Sequence, residues 1–149
     1  MAEKPPSEAV VRAWTRLVRA QHVALSAVEA DLKAAGFPSL GWYDVLLELS
    51  RARDGGLRPF ELEGRLLLAQ YNLSRLLERM QAAGHVGRRP CPQDRRGHLV
   101  FITDPGRLLM KRMWPTYRAA IARHVGAKLG EEDAARLAAL LGKLIEPAS

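Results

Sequence analysis

The chain has 149 residues, 48% of them apolar, which is enough to form one compact core. No segment has the roughly 18 consecutive apolar residues that span a bilayer, and the first residues lack the apolar stretch of a secretion signal, so we expect a cytoplasmic protein. The single cysteine excludes an internal disulfide, and the formal charge of +7 suggests a polyanionic partner.

Three helices are predicted in the first part of the chain. Apolar residues recur every seven positions and predict an amphipathic helix over residues 7–35, which Gly36 ends. Ser39 is positioned to cap a second helix, and the Asp-Gly-Gly sequence at 54–56 breaks that pattern. Pro59 suits the first turn of a short third helix, because proline lacks the amide hydrogen that this turn leaves unpaired.

A fourth helix and a hairpin follow. Leucines and a methionine share one helical face over residues 70–83, and Gly84 ends that pattern. From Val86 the apolar spacing changes toward two, and a Pro-Cys-Pro turn region at 90–92 precedes the apolar run 99–102. This arrangement predicts a short β-hairpin.

Two helices are predicted after the hairpin. Asp104 is positioned to cap a fifth helix with Pro105 in its first turn. Pro115 lies inside that helix, where it removes an amide donor, so we expect a bend near residues 111–114. The last helix opens with three acids at 131–133, which suit the positive end of a helix dipole.

The positive charge is concentrated in residues 65–96, which hold seven arginines against two acids. Four short motifs lie in and after this segment: Leu-Ser-Arg-Leu-Leu-Glu-Arg-Met at 73–80, Gly-His-Val-Gly-Arg at 84–88, Asp-Arg-Arg-Gly at 94–97 and Ile-Thr-Asp-Pro-Gly at 102–106. In this order and spacing the motifs resemble those of the MarR family of transcriptional regulators. The order of helices resembles that family over nearly the whole chain.

The resemblance implies a mainly α fold with a winged helix-turn-helix part at 38–103. Residues 7–36 and 104–146 would form a helical dimerisation region. Two copies of the chain, residues 1–149, would then associate as a homodimer. Two features depart from the family pattern. Arg58 stands where these proteins often have a Ser or Thr cap, and the turn before the fourth helix is unusually apolar.

Double-stranded DNA is the expected partner. An α-helix fits the major groove, and residues near its N-terminus reach base edges. The candidates on the fourth helix are Gln70, Tyr71, Asn72, Ser74, Arg75 and Arg79. The alternative for Tyr71 is packing against the third helix, and the alternative for Arg79 is a solvated or phosphate-facing charge.

The hairpin is expected to act as a wing. Arg88, Arg95 and Arg96 are its candidate DNA contacts. Asp94 and Gly97 are expected to set the turn, with Asp94 orienting an arginine through a salt bridge. By analogy with the family, Arg96 enters the minor groove. The alternative is a solvated run of charge.

Enzyme activity, a metal and a cofactor are not expected, because the four histidines lie far apart in sequence and no metal or nucleotide motif is present. Cys91 is expected to be structural, the alternative being a thiol whose pKa is lowered by Arg88 and Arg89.

The resemblance also implies a small-molecule pocket between the dimerisation and DNA-binding parts. Its candidate residues are Trp14, His22, Trp42, Tyr43, Trp114 and Tyr117. The alternative is that these residues are ordinary core or interface positions. We expect a repressor that binds a pseudo-palindromic duplex site and is released by a small aromatic or anionic ligand. The alternative function is architectural or nonspecific nucleic-acid binding without an effector.

Overall fold

The computed structural model describes residues 2–147, apart from the side chain of Arg95. In chain order the elements are α1 (Glu8–Ala34), α2 (Leu40–Ser50), α3 (Pro59–Arg65), α4 (Leu73–Ala82), β1 (Val86–Cys91), β2 (Asp94–Ile102), α5 (Asp104–Ile121), a π-helical turn (Ala122–Gly126) and α6 (Glu131–Ile145). The fold is mainly helical with one antiparallel two-stranded sheet, as the sequence predicts.

The chain divides into two compact units. The terminal unit is formed by Met1–Asp31 with Arg118–Ser149, and the central unit is Leu32–Tyr117. The central unit therefore contains the whole segment 38–103 that was expected to form the winged helix-turn-helix, together with the first part of α5.

The terminal unit leaves apolar helix faces exposed. The strongly exposed residues of α1 and α6 are Val10, Val11, Trp14, Val18, Val23, Leu137, Leu140, Leu144 and Ile145. A polar contact ties α1 to the π-helical turn, where Arg123 Nη1 and His124 Nε2 lie 2.8 and 2.9 Å from the same carboxylate oxygen of Asp31. None of the residues of α6 is buried within the described chain.

The central unit encloses a continuous apolar core. Its buried residues come from α2, α3, α4, both strands and one loop position: Val45, Leu46, Leu49, Leu57, Leu62, Leu76, Leu77, Met80, Val86, Val100 and Ile102. The leucines and methionine that share a face in the sequence pattern of α4 lie in this core or against it. The opposite face of α4 is left to solvent.

The hairpin pairs Val86 with Ile102 and keeps this register as far as Pro90 and His98, after which Cys91 pairs with Asp94. Residues 95–97 therefore form a bulge in β2. The expected turn at 90–92 is shifted, because β1 continues through Cys91 and the turn occupies residues 92–93.

An isolated β-bridge between Leu57 and the edge of the hairpin was not predicted. Leu57 N lies 2.9 Å from Val100 O, and Val100 N lies 2.8 Å from Leu57 O. The loop before Leu57 turns through Asp54, Gly55 and Gly56, whose φ angles are 61°, 77° and 154°. Arg89 Nη2 donates to Asp54 O at 2.9 Å, and a Cβ on Gly55 would collide with that guanidinium. The Gly-Gly sequence therefore permits a loop that holds Arg89.

The start of α5 corrects one expectation. Asp104 is the first residue of the helix, and the cap is Thr103, whose Oγ1 accepts from Gly106 N at 3.1 Å. The same hydroxyl donates to Gly84 O at 2.6 Å. A Cβ on Gly106 would collide with the backbone oxygen of His85. The Thr-x-x-Gly motif therefore joins the end of α4 to the start of α5.

The other helix ends show two further details. Ser39 precedes α2 as expected, but its side chain forms no capping hydrogen bond. Pro115 lies inside α5, which continues without a break to Ile121.

Candidate nucleic-acid interface

The predicted start of the fourth helix was wrong by three residues. α4 begins at Leu73, and Asn72 caps it by accepting from Arg75 N at 3.1 Å through Oδ1. Because its side chain is used within the fold, Asn72 has a structural role that the sequence analysis did not assign. Gln70 and Tyr71 precede the helix.

These two residues have different surroundings. Tyr71 is 107% exposed, so the alternative that it packs against α3 is wrong. Gln70 is half-buried and lies against α2, since a Cβ on Gly41 would lie 2.9 Å from Gln70 Nε2. Of the two, Tyr71 is the side chain that is available to a partner.

The exposed face of α4 carries Ser74, Arg75 and Arg79. Arg75 and Arg79 are four residues apart and therefore lie on the same face of the helix. Leu76, Leu77 and Met80 fix the opposite face in the core. The helix can thus present two guanidinium groups to a polyanion without losing its packing.

Asp44 supports the segment that leads into α4. The residue is 4% exposed, and its two carboxylate oxygens accept from Leu67 N at 3.0 Å and Leu68 N at 2.8 Å. A buried carboxylate needs such partners, because desolvation otherwise strongly disfavours its charge. Sequence reasoning missed this residue, although an acid within the apolar stretch of α2 was a visible signal.

In the wing, Asp94 organises the bulge through the backbone. Its Oδ1 accepts from Arg96 N at 3.0 Å, and a Cβ on Gly97 would lie 3.3 Å from its Oδ2. The expected role of Asp94 was a salt bridge to an arginine side chain, whereas the observed contact is made to the Arg96 amide. The Arg96 side chain is exposed. The expected contact by Arg95 lies outside the described side chains.

Arg88 is held inside the hairpin. It is half-buried, its Nη1 lies 3.2 Å from His98 Nε2, and its Nε is buried without a hydrogen-bond partner among the described residues. The guanidinium of Arg89 is 5.9 Å from the centre of the Phe101 ring, in addition to its bond to Asp54. Arg88 therefore supports the hairpin from within, whereas Arg89 is exposed and joins the wing to the loop at Asp54.

Three of the aromatic residues expected to form a pocket lie together in the central unit. Tyr43, Trp114 and Tyr117 form a cluster with ring centres 5.1 to 6.2 Å apart. A cavity of about 230 Å³ is lined by Tyr43, Tyr117 and Asp44, among others. Burial raises the pKa of both tyrosines, so their hydroxyl groups stay protonated.

The three remaining pocket candidates have other surroundings. Trp42 packs against the ring of His85 at 5.7 Å, and its Nε1 is buried without a partner among the described residues. Trp14 and His22 are exposed residues of α1 in the terminal unit.

Cys91 is buried, and its partner is one that the sequence analysis did not name. Arg58 Nη2 donates to Cys91 Sγ at 3.3 Å. This hydrogen bond lowers the pKa of the thiol, helped by the backbone amides of Gln93 and Asp94. The expected neighbours Arg88 and Arg89 make other contacts, described above.

Two further findings concern residues 2–147 as a whole. None of the helices has the length and apolar character needed to cross a membrane. No three His, Cys, Asp or Glu side chains in this range gather into a group that could hold a metal ion.

The packing of α2, α3 and α4 against a two-stranded hairpin defines a winged helix-turn-helix protein. Residues 35–97 match the model of the MarR family. No curated protein gives a significant match to the sequence.

Solved structures extend the similarity to nearly the full chain. AbsC, a MarR family transcriptional regulator from Streptomyces coelicolor, is 25% identical, with a TM-score of 0.80 and 96% of each chain covered. Sco3205 from the same organism, solved with DNA, is 22% identical, with a TM-score of 0.84 and coverage of 97% of this chain and 91% of its own. A cysteine-substituted MarR from E. coli, complexed with operator DNA, is 21% identical, with a TM-score of 0.80 and coverage of 96% and 100%. The family model covers residues 35–97, and over nearly its full length the chain is similar to MarR family regulators of known structure.

Proposed function

We propose that this protein is a transcriptional regulator that binds a pseudo-palindromic duplex DNA site as a homodimer and represses transcription. The observation that carries the proposal is the exposed basic face of α4, with Arg75 and Arg79 free of the core, beside a wing whose Arg96 is also exposed. The DNA complexes of Sco3205 and MarR support the proposal.

Each exposed side chain has a distinct role in this proposal. α4 enters the major groove, where Arg75 contacts guanine or a phosphate and Ser74 and Tyr71 reach neighbouring groups. Arg96 enters the minor groove, where readout depends on groove width and potential. Arg79 contacts phosphate. The packing of Gln70 and Arg88 within the fold argues against a base contact by either, and both act by supporting the elements that carry the contacts.

The homodimer is supported by the exposed apolar faces of α1 and α6. Surfaces of this kind are normally covered by another molecule, and a two-fold symmetric dimer is the commonest way for identical chains to cover them. Two-fold symmetry requires two half-sites about one helical turn apart, roughly 10 base pairs from centre to centre.

Release by a small ligand is the regulatory part of the proposal. The cavity of about 230 Å³ beside Tyr43 and Tyr117 suits a small aromatic molecule such as a phenol or an aromatic acid. Asp44 lies in the wall of this cavity and also binds the backbone before α4. A ligand that breaks the hydrogen bonds of Asp44 to Leu67 N and Leu68 N would therefore move α4.

The test begins with duplex fragments selected from genomic DNA by the purified protein, followed by footprinting. We expect a protected inverted repeat. Arg75→Ala should weaken binding to that site by about 1–3 kcal/mol and change the preference within each half-site. Arg96→Ala should lower the slope of log affinity against log salt by about two units in the dimer, most clearly on A·T-rich flanks.

Arg107→Ala is the matched control, since Arg107 is an exposed arginine of α5 outside the proposed contacts. It should bind as the unmodified protein does. Protection without a repeated sequence, or equal binding to all duplexes, would instead indicate a nonspecific or architectural nucleic-acid-binding protein.

A further inference from the structure

A second cavity lies in the central unit between the loop before α3, α3 itself and the turn of the wing, and it shares Arg51 and Arg65 with the aromatic cavity. Its volume is about 550 Å³. Four arginines line it, namely Arg51, Arg53, Arg58 and Arg65, against two acids, Asp54 and Glu61. We call it the arginine cleft. Its lining carries an excess of two positive charges.

The two acids do not neutralise the guanidinium groups. Glu61 Oε1 accepts from the backbone N of Arg58 at 3.0 Å, which directs that oxygen to the main chain. Asp54 lies in the left-handed loop at φ 61°. Among the described residues, neither acid forms an ion pair within 4.0 Å of a cleft arginine.

The arginines of the cleft form few strong interactions with other side chains. Arg51 is 3.7 Å from Glu48 in an exposed pair, a contact of small energy. Arg58 donates to the thiol of Cys91 at the wing end of the cleft. Arg53 and Arg65 are exposed and have no ion pair within the described chain. Their charges are available to a ligand.

We propose that the arginine cleft binds a small, multiply charged oxyanion, such as a phosphorylated or polycarboxylate metabolite. The guanidinium group forms paired hydrogen bonds with carboxylate and phosphate oxygens, and several such groups around one cavity select for multiple negative charge. The volume falls within the range of small-molecule sites, roughly 300–1,000 Å³. A single phosphate of a DNA backbone would fill only part of it.

No residue of α4 lines the cleft, so this proposal does not rest on the proposed DNA-binding function. The cleft adjoins the aromatic cavity, with which it shares Arg51 and Arg65, whereas Arg53 and Arg58 line the cleft and not that cavity. The proposal assigns a ligand class to a site where the loop before α3 and the wing turn meet. An anion held there would bridge Arg53 and Arg65 to the wing end of the cleft, where Arg58 contacts Cys91.

Isothermal titration of the full-length protein tests the proposal, with inorganic pyrophosphate and citrate as probes and chloride added to keep the ionic strength constant. We expect saturable binding of at least one probe. In the double variant Arg53→Gln/Arg65→Gln, binding should be weaker by at least about tenfold, because two charged hydrogen-bond donors are lost. Each single variant should give a smaller loss in the same direction, and circular dichroism checks that the fold is retained.

Arg107→Gln/Arg112→Gln is the matched control, since both are exposed arginines of α5 and the change in net charge is the same. It should change probe affinity less than twofold. Equal weakening in both double variants would mean that the probes sense net charge alone, and would overturn the proposal. So would the absence of saturable binding to the unmodified protein.

Measurements of duplex binding distinguish a small-molecule ligand from the phosphates of the DNA backbone. If the cleft arginines contact the DNA backbone, Arg53→Gln/Arg65→Gln lowers the salt slope of duplex binding, while the probes do not bind the unmodified protein. That result would overturn the small-ligand proposal and leave the proposed DNA-binding function standing. Probe binding that is lost in this variant, with the duplex salt slope unchanged, supports a small-molecule site.

Discussion

Both units of the chain contain amphipathic helices, but the apolar faces of these helices are buried in the central unit and exposed in the terminal unit. In the central unit the apolar faces of α2 and α4 meet one another and the wing, and Leu46, Leu62 and Met80 are completely buried. In the terminal unit Trp14 is 64% exposed and Leu144 69% exposed. An amphipathic pattern therefore identifies an apolar face but does not say which surface covers it. In the central unit that surface is the chain itself, and in the terminal unit we propose a second copy.

The largest effect is expected when a charge is placed on the exposed apolar face of α6. In Leu144→Asp each copy should lose about 1.5–3 kcal/mol of apolar burial, and a symmetric dimer counts that loss twice, about 3–6 kcal/mol in total. Sedimentation across a range of protein concentrations should show dissociation. Ala139→Asp places the same charge on the opposite face of α6 by helical spacing and should leave the dimer intact. If both variants dissociate to the same extent, or neither dissociates, the apolar face of α6 is not the dimer interface.

The central unit should respond to a core substitution in a different way. Leu46→Ala removes a fully buried side chain and should lower the free energy of unfolding by about 2–5 kcal/mol, because a cavity is added to the lost burial. Urea denaturation measures this loss. Sedimentation of the folded variant should show the same association state as the unmodified protein. A loss of association without a loss of stability would contradict a self-contained core.

The helices could be predicted because the signals that determine them lie in residues close together in the sequence. The spacing of apolar residues, with glycine and proline at the ends, gave α1, α2, α3 and α6 to within one or two residues. The start of α4 was misplaced because Gln70 and Tyr71 continue the helical pattern, whereas the backbone is held before Leu73 by the Asn72 cap and by Asp44. The pairing of Leu57 with Val100 was missed because it joins positions 43 residues apart in sequence.

Part of the proposed DNA-binding site could also be predicted from residues close together in the sequence. The motif and the charge indicated the arginines of α4 and the wing, and Tyr71 and Arg96 are exposed as a contact requires. The sequence could not reveal that Arg88 is half-buried against His98, or that the exposed guanidinium of Arg89 is bonded to Asp54 O. It also could not reveal that Arg58, which departs from the family pattern, is the partner of Cys91.

Several polar side chains of the central unit are bonded within the unit, and the Asn72 cap is one of them. Asn72→Ala removes the α4 cap and should lower stability by about 0.5–2 kcal/mol. Asn72→Ser keeps a capping oxygen and should restore most of that stability. Measuring urea unfolding and duplex binding for both variants separates the two roles. If Asn72→Ser is as stable as the unmodified protein but binds DNA less well, the Asn72 amide also contacts DNA. If both properties recover together, its role is the cap alone.

The smallest expected effect concerns the contact between Arg58 and Cys91. The hydrogen bond from Arg58 lowers the pKa of the thiol in the folded protein, so the thiolate is stabilised there relative to the unfolded chain. This stabilisation is fully present above the pKa of the unfolded thiol and is lost as the pH falls through the lower pKa of the folded thiol. Arg58→Gln should therefore raise the pKa of Cys91 and reduce stability mainly at alkaline pH.

Thiolate absorbance, corrected for the absorbance of ionised tyrosine, measures the pKa of Cys91, because the chain has a single cysteine. Arg89→Gln is the control, since that arginine was the neighbour expected from sequence and instead donates to Asp54. It should leave the titration of Cys91 unchanged. A shift of equal size in both variants would show that the thiol responds to the overall positive charge of the wing, and not to a specific hydrogen bond from Arg58.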